Sequence, residues 1–147
     1  MDTDKWHRRV HGYIAPQTEV CKSSIDALGL FAKRDIPKGV VVAAWGGRIL
    51  TAREIKRLPE KFQTNYALPL YPGFYIAETN EKDLDAADFI NHSCDPNCVI
   101  KNLLVMVTKR KIVRGKELTA DFDAGPKYGV RTMCLCGNPK CRKVVYF

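Results

Sequence analysis

The chain has 147 residues, 46% hydrophobic and 27% charged, and its 24 Lys and Arg against 16 Asp and Glu give a net charge of +8. That length and balance suit one globular domain with a small appendage and exclude wholesale disorder, collagen and coiled coil. The longest apolar run, residues 40–45, is six residues long, far short of the roughly 20 that a membrane span needs.

Residues 1–17 have few apolar anchors and no apolar core of a secretory signal, so they read as the peripheral flank of an intracellular protein, cytoplasmic or nuclear. Short β-type runs then alternate with Gly, Pro, Asp and Asn, at 18–22, 28–32, 40–45, 48–50, 66–69, 74–77, 98–101, 103–110 and 117–121. Residues 36–39 and 113–116 read as turns leading into strands. One helix is signalled. Thr51 and Glu54 form a capping box, Ile55 and Leu58 supply an apolar stripe, and Pro59 stops it. Residues 86–91 read as a short helical turn. The pattern predicts a mainly β domain with few short helices, and by itself leaves sandwich and irregular barrel both open.

The charges are uneven. Lys101, Lys109, Arg110, Lys111, Arg114 and Lys116 make a dense basic stretch that reads first as a solvated strand edge and turn. Glu78, Glu81, Asp83, Asp85 and Asp88 are either a solvated loop or a face for a cationic substrate. Among six cysteines, Cys134, Cys136 and Cys141 form C-x-C-x4-C around a Gly137-Asn138-Pro139 turn, so three thiolates can converge on one ion. A structural zinc site takes four ligands, leaving the fourth to Cys21, Cys94, Cys98 or a histidine.

The densest run of small polar residues is 88–98, which holds Asn91-His92-Ser93-Cys94-Asp95-Pro96-Asn97. Such residues bond to nearby backbone and fix irregular loops. This run resembles the NHSCxPN motif of the SET-domain protein-lysine methyltransferases. Leu28-Gly29-Leu30-Phe31-Ala32 with Asp35-Ile36-Pro37-Lys38-Gly39 resembles that family's opening motif and turn. Glu117-Leu118-Thr119-Ala120-Asp121-Phe122 is similar to ELTxDY, and Cys134-Leu135-Cys136-Gly137 with Cys141 resembles the post-SET zinc tail. Four motifs stand in order across residues 18–143.

The resemblance implies a SET fold of small β-sheets closed by a C-terminal pseudoknot, over residues 18–123, with a zinc-binding tail at 124–147. It implies methyl transfer from S-adenosylmethionine to a lysine ε-amine of a protein substrate, histone-like or basic, with nucleic acid not itself the substrate. Ala27, Leu28, Gly29, Asn91, His92 and Leu135 would meet the cofactor. Cys94, Cys134, Cys136 and Cys141 would hold the zinc, and Cys21 and Cys98 would be structural.

Four positions depart from the family. Ala27 stands in place of the first glycine of G-x-G and disfavours positive φ. Asp88 stands where arginine is common. Phe122 stands in place of the catalytic tyrosine and lacks its hydroxyl, which predicts a slow enzyme unless Tyr66, Tyr75 or Tyr128 substitutes. Ala120 replaces a bulky channel residue and predicts di- or trimethyllysine as product. Two readings compete with the methyltransferase: a SET module that binds cofactor or a protein partner with little turnover, and, ranked last, a basic zinc-containing nucleic-acid binder.

Overall fold

The computed structural model describes residues 8–124 and 131–146. Described strands are β1 (Tyr13–Ile14), β2 (Thr18–Lys22), β3 (Leu28–Ala32), β4 (Val41–Ala44) and β5 (Arg48–Thr51). Helices α1 (Ala52–Ile55) and α2 (Glu60–Thr64) follow, then β6 (Ala67–Tyr71), β7 (Phe74–Ala77), β8 (Asn91–His92), β9 (Cys98–Lys101) and β10 (Val105–Thr108). The remaining strands are β11 (Glu117–Ala120), β12 (Arg131–Met133) and β13 (Val144–Tyr146). They form small sheets in the orders β1-β4-β10-β9, β2-β3-β11-β8, β5-β7-β6 and β12-β13. This is the mainly β fold with few short helices that the pattern predicts.

The main core lies between the first two sheets and is built on Leu30, Val42, Met106 and Leu118, each fully buried. The turns at 36–39 and 113–116 contain Gly39 and Gly115, whose φ angles of 84° and 83° are left-handed and suit glycine. They pack together through Ile36 and Ile112, which exchange backbone hydrogen bonds of 2.8 Å. β11 is laid between β3 and β8, antiparallel to one and parallel to the other. The Asn97 side chain holds it there. Its Nδ2 donates to the Glu117 carbonyl (2.8 Å) and its Oδ1 accepts from the Thr119 N–H (3.0 Å).

The structure amends three sequence expectations. The capping box of Thr51 and Glu54 is present, but α1 ends after one turn at Ile55. Pro59 instead opens α2, whose single apolar residue, Phe62, is buried and gave no stripe to read. The N-terminal flank is not peripheral over its described part. Tyr13 and Ile14 pair with β4, and Ala15 is buried in the main core. Among the described residues no helix is long and apolar enough to cross a membrane.

Candidate active site and four-cysteine cluster

A cleft of about 990 Å³ opens beside the main core, at the upper end of the range for small-molecule sites. Its wall brings together Ala27 and Leu28, Asn91 and His92, and Tyr66 and Phe122. These residues come from four separate stretches of sequence. Tyr128 lies outside the described residues.

The floor is fixed by a 3₁₀ turn, Ala86–Phe89, that leads into β8. Asp85 caps it. Asp85 Oδ1 accepts from the Ala87 N–H and Asp88 Oδ2 from the Asp85 N–H, each at 2.9 Å. Trp45 Nε1 donates to the Ala87 carbonyl (3.0 Å), which ties the turn to the sheet carrying β4. β8 then pairs in parallel with β11, Asn91 opposite Thr119 and His92 opposite Ala120.

Asn91 anchors the loop before β3. Its Nδ2 lies 2.8 Å from Glu117 Oε1, 2.9 Å from the Leu28 carbonyl and 3.1 Å from Ser23 Oγ. Ser23 Oγ donates to the same Glu117 carboxylate at 2.9 Å. A Cβ on Gly29 would sit 2.2 Å from Glu117 Oε1, so glycine is required for that carboxylate to reach Asn91. Ala27 is held at φ 26°, a conformation that L-residues avoid. Ser23 was not singled out from sequence, since it does not stand out from ordinary turn residues, and Glu117 entered only as the first residue of the ELTxDY-like motif, with no role of its own.

His92 faces the cleft with its tautomer set by its partners. The Phe122 N–H donates to Nδ1 (3.2 Å), so the proton resides on Nε2, which points at Cys94 Sγ (3.4 Å). Burial lowers the His92 pKa and favours the neutral ring, against the pull of Asp121. The Phe122 ring is edge-on to Trp45 with centroids 5.8 Å apart. Tyr66 lines the cleft, its ring 5.5 Å from Phe62. Tyr75 packs instead against the minor core of Leu50, Ile55 and Ala77.

Three expected site residues lie outside the cleft wall, the first being Gly29, which is buried in β3. Ala120 is fully buried in the main core and does not line the cleft, so the structure does not place it as a channel residue. Its side chain follows the inward alternation of β11. Leu135 is 65% exposed on the tail, away from the cleft wall.

The sulfurs of Cys94, Cys134, Cys136 and Cys141 all lie within 4.8 Å of one another, with Cys94 and Cys134 3.6 Å apart. Tetrahedral bonds of about 2.3 Å would set sulfurs roughly 3.8 Å apart, so the cluster has the size of a zinc site. Burial pushes Cys134 up to about 12. Cys136 is also raised by burial, but the backbone of Cys94 and Asn138 brings it down to about 6. Four thiolates this close repel one another unless a cation sits among them. Backbone N–H groups of Arg142 and Lys143 point at Cys94 Sγ and Cys141 Sγ, at 3.4 and 3.3 Å. The Arg142 guanidinium reaches across to Asp121 (2.7 Å) and fastens the tail beside Phe122. Cys98 is buried, and that burial pushes its thiol up to about 12. Cys21 is exposed, which corrects its reading as a buried structural thiol.

Four of the five acids of the cluster lie off the cleft wall. Glu78, 1% exposed, is gripped by Arg9, whose Nη2 lies 2.6 Å from Oε1 and whose Nε lies 3.0 Å from Oε2. Asp83 pairs with Arg48 at 2.7 Å, and Glu81 pairs with Lys61. Asp88 alone of the five lines the cleft, and burial raises its carboxyl to about 7.

Comparison with known proteins places this geometry in a family. The SET domain family model matches residues 27–123. A Schizosaccharomyces pombe histone-lysine N-methyltransferase, H3 lysine-4 specific, is 34% identical over 134 residues, covering 82% of this chain and 14% of that protein. The Drosophila melanogaster histone-lysine N-methyltransferase trr is 32% identical over 140 residues, covering 84% of this chain and 6% of that protein. A second Schizosaccharomyces pombe enzyme, H3 lysine-36 specific, is 32% identical over 126 residues, covering 77% and 15%. The chain therefore spans only a small part of the length of the relatives it matches.

Proposed function

Because the chain belongs to the SET-domain family, we propose that it is an S-adenosylmethionine-dependent protein-lysine N-methyltransferase acting on a histone-like or basic protein. The observation that carries the reading is the cleft wall, which joins the Ala27–Leu28 turn, the Asn91–His92 strand and Phe122 in one cavity. The SET domain spans residues 18–123, with 1–17 as its N-terminal flank and 124–147 as a post-SET zinc-binding tail. The reading carries an intracellular location, cytoplasmic or nuclear.

The residues fit the cofactor. The cleft has the volume for a small molecule, and it offers exposed backbone at 27–28 together with polar groups at Asn91 and His92. When bound, S-adenosylmethionine supplies a methyl group activated by its sulfonium. Ala27, Leu28, Asn91 and His92 would hold the cofactor, and it would offer the lysine amine an electrophilic methyl whose sulfonium departs as a neutral thioether. The chain's own part is positioning and exclusion of water. Trp45, Tyr66, Leu68 and Phe122 give the cleft apolar walls. Such walls favour the neutral amine of a lysine whose ordinary pKa is about 10.4. Asn91 acts through the loop it anchors, and His92 acts as a neutral ring braced by the Phe122 backbone.

The four cysteines fit zinc in number, spacing and donor type. Zinc would tie the tail to the loop between β8 and β9, next to Phe122. His92 Nε2–H and the Arg142 N–H would support the Cys94 thiolate.

The test is incubation of zinc-loaded chain with core histones and S-adenosylmethionine, followed by peptide mass spectrometry. Methylated lysine is the expected result. Calorimetric binding of the cofactor without any methylated product would favour the second reading, a binding module. Two observations support that second reading: the missing hydroxyl at Phe122 and the strained Ala27. Failure of a folded, metal-loaded chain to bind the cofactor would overturn the catalytic reading.

A further inference from the structure

Eight cations stand on two turns packed against each other. Lys33, Arg34 and Lys38 lie between β3 and β4, and Lys109, Arg110, Lys111, Arg114 and Lys116 lie between β10 and β11. All eight residues are exposed. The turns are locked by the paired bonds of Ile36 and Ile112, and by N–H to carbonyl bonds of 2.8 Å from Gly39 to Thr108 and from Gly115 to Ala32. Asp35 is the single acid of residues 33–39 and 109–116. It is already engaged by Lys111 (2.9 Å) and the Arg114 N–H (3.0 Å). Elsewhere acids and bases neutralise each other, as in Arg9 with Glu78 and Arg48 with Asp83. Most of the net charge of +8 therefore stands on one braced surface.

The chemistry of that surface narrows its partner. A protein interface is built around an apolar, aromatic-rich centre. Single-stranded nucleic acid is held by aromatic platforms under its bases. Neither turn contains an aromatic residue, and Val113 is their one large hydrophobic side chain exposed to solvent. A duplex backbone requires closely spaced cations on a rigid support and little else. We infer that the paired turns are a docking surface for the phosphate backbone of double-stranded nucleic acid, without sequence preference. Lys109 also lines the cleft, so the two surfaces meet at that residue. The inference holds whether or not the cleft transfers a methyl group.

The test is fluorescence anisotropy of zinc-loaded full chain with a labelled DNA duplex over a salt series. The logarithm of affinity should fall linearly with the logarithm of salt, with a slope of about −3 to −4 for three or four neutralised phosphates. The triple variant Arg34→Ala, Arg110→Ala, Arg114→Ala should weaken binding at least about tenfold and flatten the slope by about 2. Removing the same charge elsewhere, with Arg53→Ala, Lys56→Ala, Lys82→Ala, should leave affinity nearly unchanged. The single reversal Arg34→Glu should act in the same direction as the triple variant, which keeps the test independent of the triple variant's stability. Equal losses in the patch and control variants would overturn the inference, as would binding indifferent to salt. Tighter binding of polyglutamate or of single strands than of duplex would overturn it as well.

Discussion

Phe122 presents an aromatic ring to the cleft, braced by Trp45 and with its N–H engaged by His92. The geometry of its backbone is thus set independently of any hydroxyl. Phe122→Tyr should raise the rate of methyl transfer by about 10²–10³, the usual worth of one transition-state hydrogen bond, as read from single-turnover kinetics. An unchanged rate would point to the binding module. Asp88 gives a second residue-level expectation. Its folded carboxyl is raised to about 7, chiefly by burial and further by Asp85 and Glu78, with Arg9 opposing. A carboxyl raised on folding contributes stability below its unfolded pKa of about 3.8, and loses it as pH rises through about 7. Asp88→Asn keeps an acceptor for the Asp85 N–H. It should be more stable than the parent at pH 8, by a margin that narrows toward pH 5 in urea titrations of the zinc-loaded proteins.

The tail shows how far elements can be read from sequence. Its C-x-C-x4-C spacing marked three of the four clustered cysteines, because thiols so close in the chain can converge without help from the fold. Cys94 could be added only through the family resemblance, since it is 40 residues from Cys134 and no local rule joins them. Strands 18–22, 28–32, 74–77 and 98–101 were legible because alternation and turn residues bound them on both sides. β8 was not. Asn91 and His92 are two polar residues that become a strand only when β11 arrives beside them. β12 and β13 were missed likewise, being three residues each and paired across the cysteine loop. Cys94→Ser should lower bound zinc below one per chain and abolish amide protection at β12 and β13, leaving β3 and β10 protected. Metal retention in full would show that another residue completes the site.

Over the whole molecule, the ion pair of Arg9 and Glu78 joins the N-terminal segment to residues 69 positions later, a span that no sequence pattern announces. It holds the region that leads into the 3₁₀ turn and β8. Arg9→Ala would leave a buried carboxylate without its cation, and should lower unfolding free energy by about 3–5 kcal/mol in denaturant titration. A change under about 1 kcal/mol would show that Glu78 finds another partner. The position of β11 bears in turn on how the protein is made. Residues 28–32 and 91–92 leave the ribosome before residues 117–120, which must lie between them. At about 5–20 residues per second, the nascent chain spends seconds with both partner strands open along one edge. During that interval it is a client for chaperones, and a stall before residue 120 would leave a sticky, half-built sheet.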